Sequence, residues 1–205
     1  MRTLRADEPL AVGLADAIRA GDLDALEHLL AGNPGLAAVR IVDRRGCERT
    51  PLHVVTDWPG YFPNGPAVVR ALLAAGADPN APLLGAAHTE TPLHWAASSD
   101  DVEVARALID GGGDIEATGA SIAGGTPLDD AVGYGCWQVA RLLVDRGARV
   151  SKVWHAAALG VMDLLTAFVE GAPPLTATEL NDAFWHACHG GQRRAAEYLV
   201  YERVA

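Results

Sequence analysis

A four-residue motif that occurs three times constrains this sequence more than any other feature. It reads TPLH at Thr50 and at Thr91, and TPLD at Thr126. A threonine oxygen can accept an orphan backbone N–H at the start of a helix, and proline suits the first helical position because it has no N–H to lose. Each copy of the motif therefore predicts the beginning of a helix.

The residues that follow the motif predict a second helix in each copy. After Thr91, a leucine and two small alanines share one helical face, and a polar break then leads into a second apolar stripe. Glycines stand where that second helix must end in a left-handed residue. These glycines are Gly76, Gly112 and Gly147. The repeated unit is therefore a helix, a tight turn, a helix and an extended excursion.

This unit resembles the ankyrin repeat, since Thr91 and Thr126 lie 35 residues apart and the ankyrin period is about 33 residues. The resemblance, to the bacterial type with degenerate terminal repeats, implies an all-α ankyrin-repeat solenoid of about six stacked helix pairs with extended hairpin loops. Residues 1–205 are expected to form a single domain. Its parts are an N-terminal capping unit at 1–49, three full repeats at 50–150 and two hairpin-poor C-terminal units at 151–205.

The register of the motif also predicts where the later helices lie. Inner helices are expected at 50–58, 92–99, 127–134, 152–159 and 182–190, and their outer partners near 66–75, 102–111, 137–146, 161–170 and 192–203. Ser151 and Asp182 are the expected caps of the last two inner helices. No polar capping repeat follows the last helix, which favours an end that packs on something, including a second copy, or a natural protein that continues.

Composition and charge limit the classes of partner. The net charge is −10, from 26 acidic residues against 16 Lys plus Arg, which argues against nucleic acids and anionic membranes. No apolar stretch is long enough to span a bilayer, and the N-terminus lacks the apolar run of a signal peptide. The three widely spaced cysteines suit a reducing cytoplasm. We therefore expect a cytoplasmic protein without a cofactor.

An insertion in the first repeat, from Asp57 to Pro66, is rich in proline and glycine and cannot be helical. Its aromatic residues Trp58, Tyr61 and Phe62 are too apolar for an idle solvent loop. One interpretation folds them back onto the solenoid, and the other makes the loop a lid or wall over a binding surface. We expect an ordered segment with Trp58 or Phe62 packed against the inner helices.

A second departure concerns the position after the motif histidine, which is usually apolar in the ankyrin family. In successive units it is occupied by Val54, Trp95, Asp130, His155 and His186. Because stacked inner helices superpose such positions, Asp130, His155 and His186 are expected within a few ångströms in one pocket, with Trp95 nearby. Three interpretations stay open: a structural ladder in which Asp130 accepts from His155, a ligand-binding or acid–base site with these three residues as catalytic groups, and a metal site.

The motif histidine position itself reads His53, His94, Asp129, Trp154 and Trp185 in successive units. The resemblance implies that His53 and His94 tie adjacent repeats together through backbone hydrogen bonds. The tryptophans, with Tyr134, make the concave side aromatic, which suits an organic ligand or a peptide. The candidate binding residues are Trp58, Tyr61, Phe62, Trp95, Asp129, Tyr134 and His189, and no metal ligands are assigned.

Two classes of function follow from these features. The ankyrin resemblance implies a non-catalytic module that presents a concave groove to a protein or peptide partner. The alternative is a small-molecule-binding protein or an enzyme that uses the Asp/His cluster in an aromatic pocket. Whether a reaction is catalysed stays open at this point, because fold alone proves no chemistry.

Overall fold

The computed structural model describes residues 2–202, in which twelve α-helices form six consecutive antiparallel pairs. The pairs are α1 (Pro9–Ala20) with α2 (Leu23–Gly32), α3 (Pro51–Val55) with α4 (Gly65–Ala74), α5 (Pro92–Ser98) with α6 (Val102–Asp110), α7 (Pro127–Gly133) with α8 (Trp137–Asp145), α9 (Val153–Leu159) with α10 (Met162–Val169), and α11 (Ala177–His189) with α12 (Arg193–Glu202). The first helices of the pairs stack in one row, from α1 to α11, and α2, α4, α6 and α8 stack in a second row. The predicted all-α solenoid is confirmed.

The repeated motif produces the local structure expected of it. The motif threonine begins α3, α5 and α7 with a capping box, in which its side chain and that of the residue three positions later each pair with the other's backbone N–H. Proline occupies the first turn of each helix. Gly76, Gly112 and Gly147 have φ values of 91°, 91° and 98°, so the predicted left-handed residues follow the outer helices.

A small sheet near the N-terminus was not predicted from the sequence. Its strands are β1 (Thr3–Arg5), β2 (Arg40–Val42) and β3 (Glu48–Arg49), with β1 parallel and β3 antiparallel to the central β2. An isolated bridge joins Glu48 to Leu84 and continues the pairing into the next repeat. The strands are only two or three residues long, so the chain remains mostly helical.

The buried apolar side chains form two clusters that meet at α9. The larger cluster extends from Leu4 to Ala158 and fills the space between the helix rows up to α8. The smaller one joins Ala156 and Ala157 to buried residues of α10, α11 and α12, among them Leu165 and Leu199. Helix α9 therefore carries alanines that belong to different clusters on its different sides.

Two predicted helix boundaries and one predicted cap were wrong. Helix α11 begins at Ala177 rather than near Asp182, because Thr176 forms a capping box with Glu179. Helix α9 begins at Val153 after an extended Lys152 that provides no side-chain cap, so Ser151 is not the cap. Helix α3 ends at Val55, where the Thr56 hydroxyl donates to the carbonyl of Leu52 instead of continuing the helix.

The remaining boundaries agree with the structure to within one or two residues, apart from the predicted end at residue 203, which lies outside the described residues. The division of residues 1–205 into a single domain with parts at 1–49, 50–150 and 151–205 stays a prediction. Between residues 2 and 202, no helix has the length and apolar character needed to cross a membrane.

Candidate functional site

Buried histidines link the full repeats to one another. The Nδ1 atom of His53 accepts from the backbone N–H of Thr50 at 3.2 Å, which leaves its Nε2–H to donate to the carbonyl of Glu90 at 3.0 Å. His94 makes the same contacts with Thr91 at 3.0 Å and with the carbonyl of Gly125 at 3.4 Å. Burial lowers the pKa of His53 to about 4 and also lowers the pKa of His94. Both rings are therefore neutral struts between repeats.

Asp129 replaces the histidine strut in the third repeat. Its Oδ2 accepts from the backbone N–H of Thr126 at 2.7 Å, as the histidine does, but its Oδ1 pairs with the ammonium group of Lys152 and lies 3.3 Å from Nε2 of His155. Burial raises the pKa of Asp129, but the contacts with His155, Lys152 and Thr126 outweigh burial and hold this pKa well below its ordinary value. Asp129, only 2% exposed, is thus a buried carboxylate.

The carboxylate beside His155 is therefore that of Asp129, which corrects the predicted pairing of His155 with Asp130. His155 is buried, and its approach to Asp129 does not have hydrogen-bonding geometry. Within residues 2–202, neither ring nitrogen of His155 has a hydrogen-bond partner. A buried imidazole without hydrogen bonds is costly, and the contacts that offset this cost are the nearby carboxylate of Asp129 and the ring of Trp154.

The correction has a geometric reason that recurs at three joints of the solenoid. At these joints a residue in the position after the motif histidine contacts the motif histidine position of the preceding unit. Three pairs show this diagonal register. They are Trp95 with His53 (ring centroids 5.0 Å apart), His155 with Asp129 (3.3 Å) and His186 with Trp154 (ring centroids 4.8 Å apart). The structure therefore does not bring Asp130, His155 and His186 together in one pocket, and a catalytic role for them stays a prediction without a shared centre.

At the C-terminal end, the histidines alternate with tryptophans in one continuous series of ring contacts. Successive ring centroids are separated by 4.1 Å (His155–Trp154), 4.8 Å (Trp154–His186), 4.8 Å (His186–Trp185), 4.8 Å (Trp185–His189) and 5.4 Å (His189–Trp137). Nδ1 of His186 donates to the carbonyl of Asp182 at 2.8 Å, and burial lowers the pKa of His186. Over residues 2–202, no group of three His, Cys, Asp or Glu side chains is placed to hold a metal ion.

Trp58, Trp95 and Tyr134 line a pocket of about 240 Å³ between the first and third repeats. Trp58, Ser99 and Tyr134 are equivalent positions, because each is the eighth residue after its motif threonine. The small Ser99 between two large rings leaves the space open, and Trp95 contributes a third ring. Trp58 is 82% exposed and Tyr134 is 53% exposed. We refer to this space as the aromatic pocket.

Glu90 gives the aromatic pocket a carboxylate. Its Oε2 accepts from the indole N–H of Trp95 at 3.0 Å, and its Oε1 accepts from the backbone N–H of Ser121 at 3.1 Å. Both donors are uncharged, so the negative charge of Glu90 is held in place without being neutralised. Glu90 was not predicted as a site residue, although it stands immediately before the motif at Thr91.

Asp130 lies directly behind this lining and not beside the histidines. Its Oδ1 accepts from the hydroxyl of Ser121 at 3.0 Å and from the backbone N–H of Ile122 at 3.1 Å. Since Ser121 donates its proton to Asp130, the hydroxyl of Tyr134 donates to Ser121 across 3.0 Å. Burial, followed by the charge of Glu90, raises the pKa of Asp130 to about 7. Asp130 therefore changes its charge near neutral pH.

The inserted loop is attached to the turns of both neighbouring units. Tyr61 donates from its backbone N–H to Asp101 at 2.7 Å, and Asn64 donates from its side chain to the carbonyl of Gly21 at 2.9 Å. A Cβ atom at Gly21, whose φ is 63°, would collide with the backbone of Pro63. These contacts hold the loop in a defined position, in agreement with the expectation of an ordered segment.

The aromatic residues of this loop do not pack as predicted. The ring of Trp58 is mostly in solvent and forms one wall of the aromatic pocket instead of packing against the inner helices. Phe62 is half-buried, and it lines a separate groove with Tyr61 and Val102 at the start of α6. The physical reason is the short α3, because a helix that ends at Val55 directs the loop toward the turns between helices. The three loop residues therefore do not form one binding surface.

The fold and this site define the class of protein as a helical-repeat solenoid. Its helical pairs are joined by buried struts, and a pocket lies on the side of the inner helices. The chain belongs to the ankyrin repeat family. A sequence profile described as "Ankyrin repeats (3 copies)" matches residues 14–115 and 61–154, which together exceed half of the chain.

Curated relatives share part of their length with this chain. It is 30% identical over 164 residues to the B-cell lymphoma 3 protein homolog of Mus musculus and 32% identical over 162 residues to the B-cell lymphoma 3 protein of Homo sapiens. It is also 37% identical over 84 residues to the E3 ubiquitin-protein ligase KEG of Arabidopsis thaliana, a match that includes 41% of this chain. The first two matches include 72% of this chain, but the chain spans only 34% of those relatives and 5% of KEG.

Proposed function

We propose that this chain is a protein-binding module whose partner contacts the inner-helix side across the aromatic pocket. Ankyrin repeats generally mediate protein–protein interactions, and the family membership supports that general role here. The observation that carries the proposal is the exposure of large aromatic rings on this side. Trp58 and Tyr134 are both more than half exposed, which is unusual for such large apolar rings. Exposed aromatic residues are enriched where proteins bind one another.

The partner is a protein or a peptide, and the cytoplasmic location expected from the cysteine spacing is part of the proposal. Trp185, 54% exposed at the last inner helix, extends the aromatic surface toward the C-terminal end. A partner that lies along the inner helices would meet Trp58 and Tyr134 first and Trp185 further on. Self-association through the C-terminal end stays a prediction.

An acid–base enzyme is the second candidate, and one observation favours it. A carboxyl group with a pKa of about 7, such as that of Asp130, can exchange protons at neutral pH. The histidines that were expected to complete an acid–base set lie in other contacts, and Asp130 itself is fully buried behind Ser121. Binding therefore has the better support.

The proposal can be tested by selecting peptides from a random display library against the immobilised full chain. Selected peptides should bind the Trp58→Ala, Tyr134→Ala double variant about 30-fold more weakly than wild type, which corresponds to about 2 kcal/mol for losing aromatic contacts at an interface. Tyr201→Ala is the matched control, because Tyr201 is an aromatic residue 76% exposed on α12. Peptides that respond to Tyr201→Ala and ignore the double variant would contradict the proposal.

A further inference from the structure

We propose that the aromatic pocket receives one positively charged side chain, a lysine or an arginine, from the protein partner. The assignment to a protein partner rests on the function proposed above. The pocket chemistry itself rests on the rings, the charge and the size described next.

The rings come from three separate segments that the fold brings to one place. Trp58 follows α3, Trp95 lies within α5, and Tyr134 follows α7. The face of an aromatic ring attracts a cation, with tryptophan the strongest, and several rings around one space strengthen the attraction. An apolar partner side chain would also fit among rings, so the charge of the lining decides between the two.

The lining carries negative charge that the chain does not neutralise. Over residues 2–202, neither Glu90 nor Asp130 forms an ion pair with a Lys, Arg or His side chain. Asp57, which also lines the pocket, differs because Arg49 and Arg19 lie 3.0 and 3.3 Å from its carboxylate. The unpaired charge of the lining is therefore that of Glu90, and Asp130 directly behind it titrates near neutral pH.

Asp130 adds a second carboxyl group that interacts with Glu90 from behind the lining. The residue is completely buried, and the neighbouring Glu90 contributes to its raised pKa. Two carboxyl groups side by side repel each other when both are ionised, and a cation placed against Glu90 would reduce that repulsion. A neutral apolar occupant would leave the repulsion unchanged.

Size and overall charge favour a side chain of a protein over a free small molecule. Pockets for small molecules usually enclose about 300–1,000 Å³, whereas this one has about 240 Å³. The chain carries a net charge of −10, which attracts a basic partner over a longer range and raises its rate of association. A single basic side chain projecting from a bound peptide satisfies both conditions.

The test uses three short acetylated and amidated peptides that are identical except at one central residue, which is arginine, lysine or citrulline. Citrulline keeps the shape of arginine and removes its charge. Each peptide is titrated into the full chain, and the indole N–H signals of the five tryptophans are followed by NMR. We expect the signals of Trp58 and Trp95 to move with the arginine or the lysine peptide, the larger response identifying the preferred cation, and to stay in place with citrulline.

Glu90→Gln should weaken binding of the responding peptide at least tenfold because it removes the charge and keeps the shape. Glu103→Gln, on the exposed side of α6, is the matched control and should leave binding unchanged. If Glu90→Gln disturbs the local fold, Trp58→Leu provides the second measurement, since the ring of Trp58 is mostly in solvent and its loss removes one aromatic wall.

Equal responses to arginine and citrulline, movement of other indole signals instead, or no response to either basic peptide would each overturn the cation site. The two proposals can fail separately. Display-selected peptides that need Trp58 and Tyr134 but contain no basic residue would leave the binding module in place and remove the cation site. The opposite result is a response of Trp58 and Trp95 to the arginine peptide, together with display-selected peptides whose binding does not depend on Trp58 and Tyr134. This result would keep the cation site and reject its assignment to a protein partner.

Discussion

The joints between the full repeats differ in chemistry from the joint to the C-terminal units. His53 and His94 each donate a ring N–H to a backbone carbonyl in the hairpin of the next repeat. At the C-terminal side, Asp129 reaches the side chains of Lys152 and His155, and Trp154 contacts the ring of His186. The connection between α8 and α9 is short, and Asp129 is an acceptor that pairs with side chains across this joint. Where the hairpin is lost, the joint between units passes from the backbone to charged and aromatic side chains.

Among the variants that test this difference between joints, Asp129→Ala should cause the largest loss of unfolding free energy. The variant leaves Lys152 without its carboxylate and removes the acceptor from the Thr126 cap. Breaking a buried ion pair by removing one partner costs about 3 kcal/mol or more. We expect a loss at the lower end of this range, because Lys152 is partly exposed and water can solvate its charge. Urea denaturation of the full chain measures this loss of unfolding free energy.

Asp110→Ala is the matched control, because Asp110 pairs with Arg146 at 2.6 Å at the surface. An exposed pair contributes about 1 kcal/mol or less. Similar losses for the two variants would show that the joint at Asp129 is no different from a surface ion pair.

Acid should destabilise the histidine joints, and His53→Gln should remove the part of this destabilisation that comes from His53. The folded chain holds the pKa of His53 near 4 by burial, whereas an unfolded histidine has a pKa of about 6.5. Stability from this group is present above pH 6.5 and is lost as the pH falls toward about 4, because the unfolded chain binds the proton first. Between pH 6.5 and about 5.5 the loss is about 1 kcal/mol, because the unfolded histidine is already half protonated at the upper value.

The measurement is the unfolding free energy of wild type and His53→Gln at both pH values. The variant should show a smaller decrease in acid, whatever its stability at pH 7. His28→Gln changes an exposed histidine on α2 and is the control. An unchanged acid dependence in His53→Gln would mean that the strut does not stay neutral in the folded state.

Trp154→Leu should produce the smallest effect and should confine it to the C-terminal units. The variant keeps an apolar side chain but loses the ring contacts with His155 and His186. Aromatic contacts of this kind contribute about 1 kcal/mol, so the amides of α11 should exchange with solvent about fivefold faster. Amides of α5 should keep their protection. Faster exchange throughout the chain would show instead that the two kinds of joint unfold together as one cooperative unit.

The features that could be predicted from the sequence depend on contacts within a few residues. A threonine followed by proline begins a helix by itself, and a glycine ends one by itself, so six helix pairs followed from the motif and its degenerate copies. The start of α11 was not predicted although Thr176 and Glu179 have capping-box spacing, because this cap lies outside the register of the repeats. The three short strands have no comparable local signal, since their pairing joins segments far apart in the chain.

The candidate site was less predictable because side chains meet across units. The sequence singled out Trp58, Trp95 and Tyr134, and the structure places them around one pocket, although their binding role stays a prediction. The diagonal register was not predictable, because a shift of one residue between neighbouring helices decides which carboxylate meets His155. Glu90 was missed because it stands just outside the motif.

The position of α9 between the two apolar clusters has a consequence for how the chain unfolds. On one side Ala158 belongs to the large cluster, and on the other Ala156 and Ala157 belong to the small one. Alanine buries little area, so the coupling energy across this helix is small compared with that between helices bearing leucines. In a linear array of units, a weak coupling lets one end melt while the rest persists. Because α9 packs extensively on α11 and only slightly on α7, we expect loss of cooperativity, with α9 to α12 separating from the array in a step of their own.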